Sequence, residues 1–418
     1  MNLFSLSLKS AWNRRFSLGL TVLTLAISIM LLVGVDIIRK EAKSNFINTI
    51  SQTDLIVGAR SGPINLLLYS VFRLGDATNN VSWESYQALS QLKQVKWSVP
   101  LSLGDSHRGF RVLGTNQDYF EHYRYATDKV LELSEGKIFD GVFDVVLGAD
   151  VARQLNYSVG QHIVVSHGLG SAGFSEHDDK PFSVVGILEK TGTPVDRTVH
   201  IPLEGISAIH IDWQSGRRGV IKIDSERALK MDLQPREITA FMLGLKNRIH
   251  TFRLQRQINE YAQEPLMAII PGTTLTNLWR TLGSFELIML GISVMVVVAG
   301  LIGMLTTIMS SLNERRREMA VLRAIGAHPY HILVLFVLET LFLMLAAIAL
   351  SLILMYGMLL MLQPFLMEWI GISIAIGWLD TQQIGIIIFI TLAALLVSLI
   401  PGLIAYRRSL QDGLLIRI

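Results

Sequence analysis

Four apolar stretches, residues 16–38, 287–311, 332–362 and 384–406, interrupt a chain whose remaining positions alternate between polar and apolar on a much shorter scale. A hydrocarbon core takes about 20 apolar helical residues to cross. The four stretches carry only two charged side chains, Asp36 at the edge of the first and Glu339 inside the third. Because each charge at mid-bilayer costs about 3 kcal/mol, this pattern predicts four membrane-spanning helices and excludes helices of a soluble core. The first stretch is longer than the apolar region of a signal peptide and lacks a following small-x-small cleavage pattern, so it reads as a retained anchor.

Charge decides the expected orientation. Arg315, Arg316, Arg317 and Arg323 lie between the second and third stretches, whereas the short loop expected at 363–383 holds no Lys or Arg. The positive-inside rule makes the first connection cytoplasmic and the second extracytoplasmic. Arg407, Arg408 and Arg417 in the tail, residues 407–418, put both termini on the cytoplasmic side. Arg39, Lys40 and Lys43 run against this assignment, but they open a long translocated segment, which weighs little in the rule. The net charge of +3 therefore reflects membrane topology and gives no reason to propose nucleic-acid binding.

Residues 39–283 must then form an extracytoplasmic domain large enough for its own core. Ile38, Ala42, Phe46 and Ile50 recur at helical spacing after the first stretch, as do Leu275, Leu278, Leu282 and Phe285 before the second. Both membrane helices are expected to continue outward as stalks. Inside the domain the period shortens: 54–58, 95–103, 109–114, 144–148, 162–166 and 182–187 read as strands, rich in Val, Ile and Leu between Gly, Pro, Asp or Ser. Residues 83–94, 149–155 and 248–262 read as helices, the last with Ile249, Phe252 and Ile258 on an apolar side. The fold class is thus an α-helical membrane domain with four transmembrane helices plus a mixed α/β extracytoplasmic domain, its residues 116–211 expected as an inserted β-rich lobe. No cysteine is present, so disulfides contribute nothing.

Catalytic signatures are missing. No Gly-x-x-x-x-Gly-Lys-Ser/Thr phosphate loop, Gly-x-Ser-x-Gly or His-Glu-x-x-His occurs, and the chain reads as non-catalytic. No metal is expected. The residues best suited to hold one, His167, His177, Asp178 and Asp179, lie in a Gly/Ser-rich loop whose spacing matches no metal signature and reads as a solvated hairpin.

Residues 313–330 are short, charged and amphipathic. On a helix Met319, Leu322, Arg323 and Gly326 fall three or four residues apart, so one side can seat in an apolar groove while Arg315, Arg316 and Arg317 pair with acidic groups or lipid. From these residues alone, a docking helix and a basic connector held by anionic headgroups fit equally well. Gly326 is placed to end the helix and Pro329 to prevent its simple continuation. Glu339 lies two turns into the third membrane helix, about 10 Å deep, with Arg323 as a candidate partner. Ala299 and Gly303 form a small-xxx-small pair, read either as a dimer contact or as packing within the chain.

Glu314-Arg-Arg-Arg-Glu318-Met319-Ala-Val-Leu322-Arg323-Ala324-Ile-Gly326-Ala327, followed by Leu338-Glu339, resembles the signature of the FtsX-like permeases, the MacB- and LolC-type (type VII) ABC transporter group. The ending Pro401-Gly-Leu-Ile-Ala405-Tyr-Arg-Arg408 is similar to that group's close, and 146–165 to a strand-helix-strand passage of its outer domain. Ala11-Trp-Asn-Arg-Arg-Phe16 fits an N-terminal elbow, residues 1–15. The resemblance implies that 313–330 is a coupling helix on a separate cytoplasmic ABC ATPase, which would hold ATP and magnesium. It implies a second permease copy, identical or paralogous, an outer domain of a porter lobe with an insertion, and residence in a bacterial inner membrane. A periplasmic adaptor or substrate-binding protein would fit the same frame. Export or release of a hydrophobic or peptide-like envelope substrate is the expected activity; the alternative is an FtsX-like signalling scaffold that regulates an envelope hydrolase.

Overall fold

A computed structural model describes residues 15–411 apart from 48, 127, 169–178, 215–216, 219–222, 315–327 and 370–376. These residues divide into a membrane unit, within Met1–Ala42, Leu282–Leu366 and Ile374–Ile418, and an outer unit, within Lys43–Thr281 and Met367–Ser373.

Four helices are long and apolar enough to cross a membrane: Arg15–Ile47, Pro271–Glu314, Pro329–Trp369 and Thr381–Gln411. Pro329 occupies the first position of its helix, where the missing N–H would have no helical partner in any case. The third helix continues through Pro364 to Trp369, so 363–369 is helix rather than the expected loop. Apolar Phe365, Leu366 and Met367 extend the run, and membrane helices tolerate an interior proline where neighbours satisfy the freed carbonyl. The last helix likewise continues past Tyr406 to Gln411. It opens with a reciprocal cap: Asp380 Oδ1 accepts from Gln383 N at 2.8 Å, and Gln383 Oε1 accepts from Asp380 N at 3.0 Å.

The outer unit is organised by one mixed sheet of eleven strands. In chain order they are β1 (Leu55–Ala59), β2 (Val95–His107), β3 (Phe110–Thr115), β4 (Leu133–Gly136), β5 (Asp144–Leu147), β6 (His162–Ile163), β7 (Ser166–His167), β8 (Phe182–Leu188), β9 (Thr198–Pro202), β10 (Ala240–Leu245) and β11 (Leu266–Ile269). The spatial order is β11-β1-β10-β2-β3-β9-β5-β8-β4, with β6 on β8 and β7 on β2. Pairs β3–β9 and β5–β8 are parallel, the others antiparallel.

The strands of the expected β-rich lobe, β4 to β9, lie together in one half of this sheet except β7, which pairs with β2. Strand β2 joins the halves, because its first part pairs with β10 and its second with β3. A register shift between Leu103 and Ser106 turns the strand at that point. One core, with Ile56, Leu101 and Met242 beside Leu113, Val146 and Leu188, runs across both halves, and two smaller ones lie in one half each. Leu55, Val57, Phe241, Leu243, Leu254 and Ile258 pack in one, and Val112, Val145, Leu147, Phe182, Val184 and Ile201 in the other.

The helix expected over 248–262 is shorter, Thr251–Asn259 after a 3-10 turn at Arg248–His250, and buries a different stripe. Thr251, Leu254 and Ile258 face the sheet, while Ile249 and Phe252 are 80% and 74% exposed. Leu254 and Ile258 are four residues apart and share a face, whereas Phe252 lies about 120° around the helix from Ile258.

Candidate functional site

The first two membrane helices pack antiparallel through small polar residues. Thr21 Oγ1 donates to Thr307 Oγ1 at 3.1 Å, and Ser28 Oγ donates to the Val296 carbonyl at 3.3 Å. Opposite Ser28 stands Gly300, where a Cβ would lie 2.7 Å from Ser28 Oγ; only glycine lets the backbones approach so closely. Ala299 points away and is exposed, and a Cβ on Gly303 would meet nothing within 4 Å. Packing within the chain thus falls to Gly300 and leaves the Ala299–Gly303 pair unused.

Charged groups gather where residues 36–40 meet their neighbours. The buried Asp36 carboxylate takes Arg39 at 2.8 Å and Lys40 at 3.1 Å; Arg39 reaches Glu286 at 3.5 Å, and Lys40 also pairs with Asp380. Arg39 and Lys40, two of the three cations that run against the positive-inside rule, are thus matched by three carboxylates from three parts of the membrane unit. Glu339 is buried, 5% exposed, beside the fully buried Thr340. Its candidate partner Arg323 lies outside the described residues, as do Arg315, Arg316, Arg317, Glu318, Met319, Leu322, Ala324 and Gly326; Glu314 ends the second membrane helix.

Among the described residues, the outer unit brings three side chains of metal-ligating type together. Asp105 sits just past the turn in β2, His167 faces it directly across the β2–β7 pairing, and His210 closes the helix Leu203–His210. His167 Nδ1 lies 2.9 Å and His210 Nε2 3.5 Å from the same Asp105 Oδ1, and the two nitrogens are 3.1 Å apart. Asp105 is buried, and burial alone would raise its pKa. The hydrogen bonds from His167 and His210 outweigh that and hold the carboxyl well below its ordinary range. Burial would lower His210, but its contact with Asp105 prevails and raises it. A cavity of about 630 Å³ opens beside the group, with Asp232 and Glu237 among its lining.

Among the described residues, His167 is the expected ligand that enters this group. His177 and Asp178 lie outside the described residues, and Asp179 turns to Lys180 at 3.2 Å. Lys180 also bonds Asp212 at 2.8 Å, and both of those side chains are fully buried. A further buried histidine, His200, is pushed down to about 3 by burial, with Arg73 adding to the effect, and packs on Tyr119 and Phe120.

A four-span helical membrane domain with a mixed α/β outer domain defines the class. The sequence matches the MacB-like periplasmic core domain over residues 18–259 and the FtsX-like permease C-terminal domain over residues 290–412. The chain belongs to the FtsX/MacB-type ABC transporter permeases. Among similar solved structures is the periplasmic region of MacB from Actinobacillus actinomycetemcomitans, 12% identical over 56% of this chain and 95% of that one, with a TM-score of 0.35. Another is the extracellular domain of the noncanonic ABC-type transporter YknZ from Gram-positive bacteria, 13% identical over 52% of this chain and 99% of that one, with a TM-score of 0.30. No curated protein matches the chain. Permeases of this family work with an ABC ATPase, and the family is one of components typically non-catalytic themselves.

Proposed function

We propose that this permease is a mechanical transmitter, coupling a cytoplasmic ABC ATPase to its extracytoplasmic domain to export or release a hydrophobic or peptide-like envelope substrate. One observation carries the reading. The helix Pro271–Glu314 begins two residues after β11 and runs unbroken to the start of the coupling segment. Its 44 residues span about 66 Å, against about 30 Å of hydrocarbon core, so one rod serves both the membrane and the stalk. The first helix, Arg15–Ile47, likewise exceeds the bilayer, at about 50 Å.

In this mechanism Met319, Leu322 and Gly326 seat in a groove of the ATPase, and Arg315, Arg316 and Arg317 pair with acidic groups around it. ATP and magnesium belong to that subunit. Closure of two ATPases displaces the coupling segments, and the stalks carry the displacement outward. The protein resides in a bacterial inner membrane with both termini cytoplasmic, and a second permease copy, identical or paralogous, completes the complex. A periplasmic adaptor or substrate-binding protein docks on the outer domain.

The Ala299–Gly303 face is the contact with the second copy. Gly303→Leu is expected to shift the detergent-solubilised complex toward monomer while leaving the thermal unfolding of each chain unchanged. Gly300→Leu is expected to destabilise the chain by about 1–3 kcal/mol, because it forces the first two helices apart. Analytical ultracentrifugation and thermal unfolding of both variants check the assignment; a Gly303→Leu protein that remains fully dimeric contradicts it.

The direct experiment is reconstitution with the ATPase in lipid nanodiscs. Hydrolysis stimulated above the rate of the ATPase alone supports the reading, and an unchanged rate defeats it.

A further inference from the structure

Asp105, His167 and His210 bring three potential ligand atoms from three separate elements around one point. His210 Nδ1 lies 2.9 Å from the carbonyl of Ile206, one turn back on its own helix. A carbonyl oxygen can only accept, so Nδ1 carries a hydrogen, and the neutral ring presents an unshared pair at Nε2. That pair is directed at a carboxylate oxygen, also an acceptor, and at the facing nitrogen of His167. In one neutral tautomer His167 Nδ1–H donates to both acceptors; in the other, with the hydrogen on Nε2, all three atoms present unshared pairs to one point and can take a cation together.

We propose that Asp105, His167 and His210 form a binding site for a divalent transition-metal ion of the zinc class, beside the adjoining cavity. Four observations support it. The donor atoms are separated by 2.9, 3.1 and 3.5 Å. Ligands at about 2.0–2.1 Å from a tetrahedral ion stand about 3.3–3.4 Å apart, so the triangle closes on one ion with small adjustments. Two imidazoles and one carboxylate make a donor set that suits zinc and its neighbours and is too nitrogen-rich for calcium or magnesium. The Nδ1–H of His210 on a backbone carbonyl is the outer-shell support that fixes the tautomer and aims Nε2 in metal-binding histidines. Finally, the group is anchored and yet accessible: Asp105 is buried, the His167 side chain is 49% exposed, and the cavity admits water or an exchanging ligand.

The backbone supports the same reading. The register shift in β2 turns Asp105 toward the cavity, and the cross-strand pairing places His167 opposite it. A bound ion would tie β2 and β7 to the helix Leu203–His210.

The test uses the full chain in detergent, stripped with a chelator and titrated with zinc against a chromophoric competitor. One equivalent should bind, and cobalt in its place should give the visible absorption of a four-coordinate centre. His167→Gln, His210→Gln and Asp105→Asn should each weaken zinc binding by about tenfold or more, while the control His162→Gln leaves it unchanged. Zinc should raise the melting temperature of the wild type and not of the His167→Gln/His210→Gln double variant, whose metal-free melting reports whether it is folded. Equal zinc affinity in the wild type and a folded double variant would overturn the proposal, as would no binding to the wild type. None of these readouts needs the ATPase, so failure here is distinguishable from failure of the coupling mechanism.

Discussion

Reversing the charges of Arg315, Arg316 and Arg317 to Glu, together with Leu322→Asp, is expected to return ATP hydrolysis in the reconstituted complex to the rate of the ATPase alone. The physical reason has two parts. In the proposed coupling Leu322 lies on the apolar side of the segment, and a carboxylate forced into a partner's apolar groove would lose its hydration without gaining a counterion. The three arginines would supply charge-assisted contacts there, and reversing them would turn attraction into repulsion against the same acidic surface. The four apolar stretches are untouched, so the helices should still insert, and because the three arginines also bias orientation, the variant's topology is verified by maleimide labelling of a cysteine at 96 before its hydrolysis is compared. A correctly inserted variant that still stimulates hydrolysis at the wild-type rate would show that the segment is a basic connector held by lipid.

Asp212→Leu is expected to destabilise the full chain by about 3–5 kcal/mol, the largest effect of any single substitution considered for the outer domain. Lys180 and Asp212 are both fully buried, 2.8 Å apart, so removing the carboxylate strands an ammonium group in the interior. Asp179, which is 19% exposed at its side chain, compensates only in part from 3.2 Å. The second half of the prediction separates pairing from packing. Lys180→Met combined with Asp212→Leu should recover most of the loss, because a buried ion pair replaced by apolar residues of similar volume is often neutral. Thermal or denaturant unfolding of the two variants measures this; equal destabilisation in both would show that the pair itself supplies the stability.

The membrane layout was legible because length and apolarity alone define a span, and residues 287–311 carry no charge to blur the reading. The permease identity was legible from the Glu314–Ala327 signature, a local motif. The outer sheet was harder. Strand β10, Ala240–Leu245, is buried at every position and shows no polar alternation to reveal its period. Strand β9 is buried throughout as well, with His200 and Pro202 interrupting its apolar pattern. With β9 and β10 unseen, the pairing of β2 to both halves of the sheet was not legible. The Asp105–His167–His210 group had no signature to find. Its members stand 62 and 43 residues apart and meet only through tertiary structure. His167 drew notice only for the loop that follows it, whereas its partners come from the other direction in the chain and from a helix, Leu203–His210, that the apolar pattern did not mark.

Topology is the premise on which transmission depends, and the absence of native cysteines makes it directly measurable. Single cysteines at Lys96, Trp378 and Ala327 would be probed in spheroplasts with a membrane-impermeant maleimide; Trp378 is fully exposed. The account predicts that cysteines at 96 and 378 react in intact spheroplasts and that the one at 327 reacts only after permeabilisation. Reaction at 327 from outside the intact membrane would place the coupling segment beyond the reach of any cytoplasmic ATPase and contradict the account.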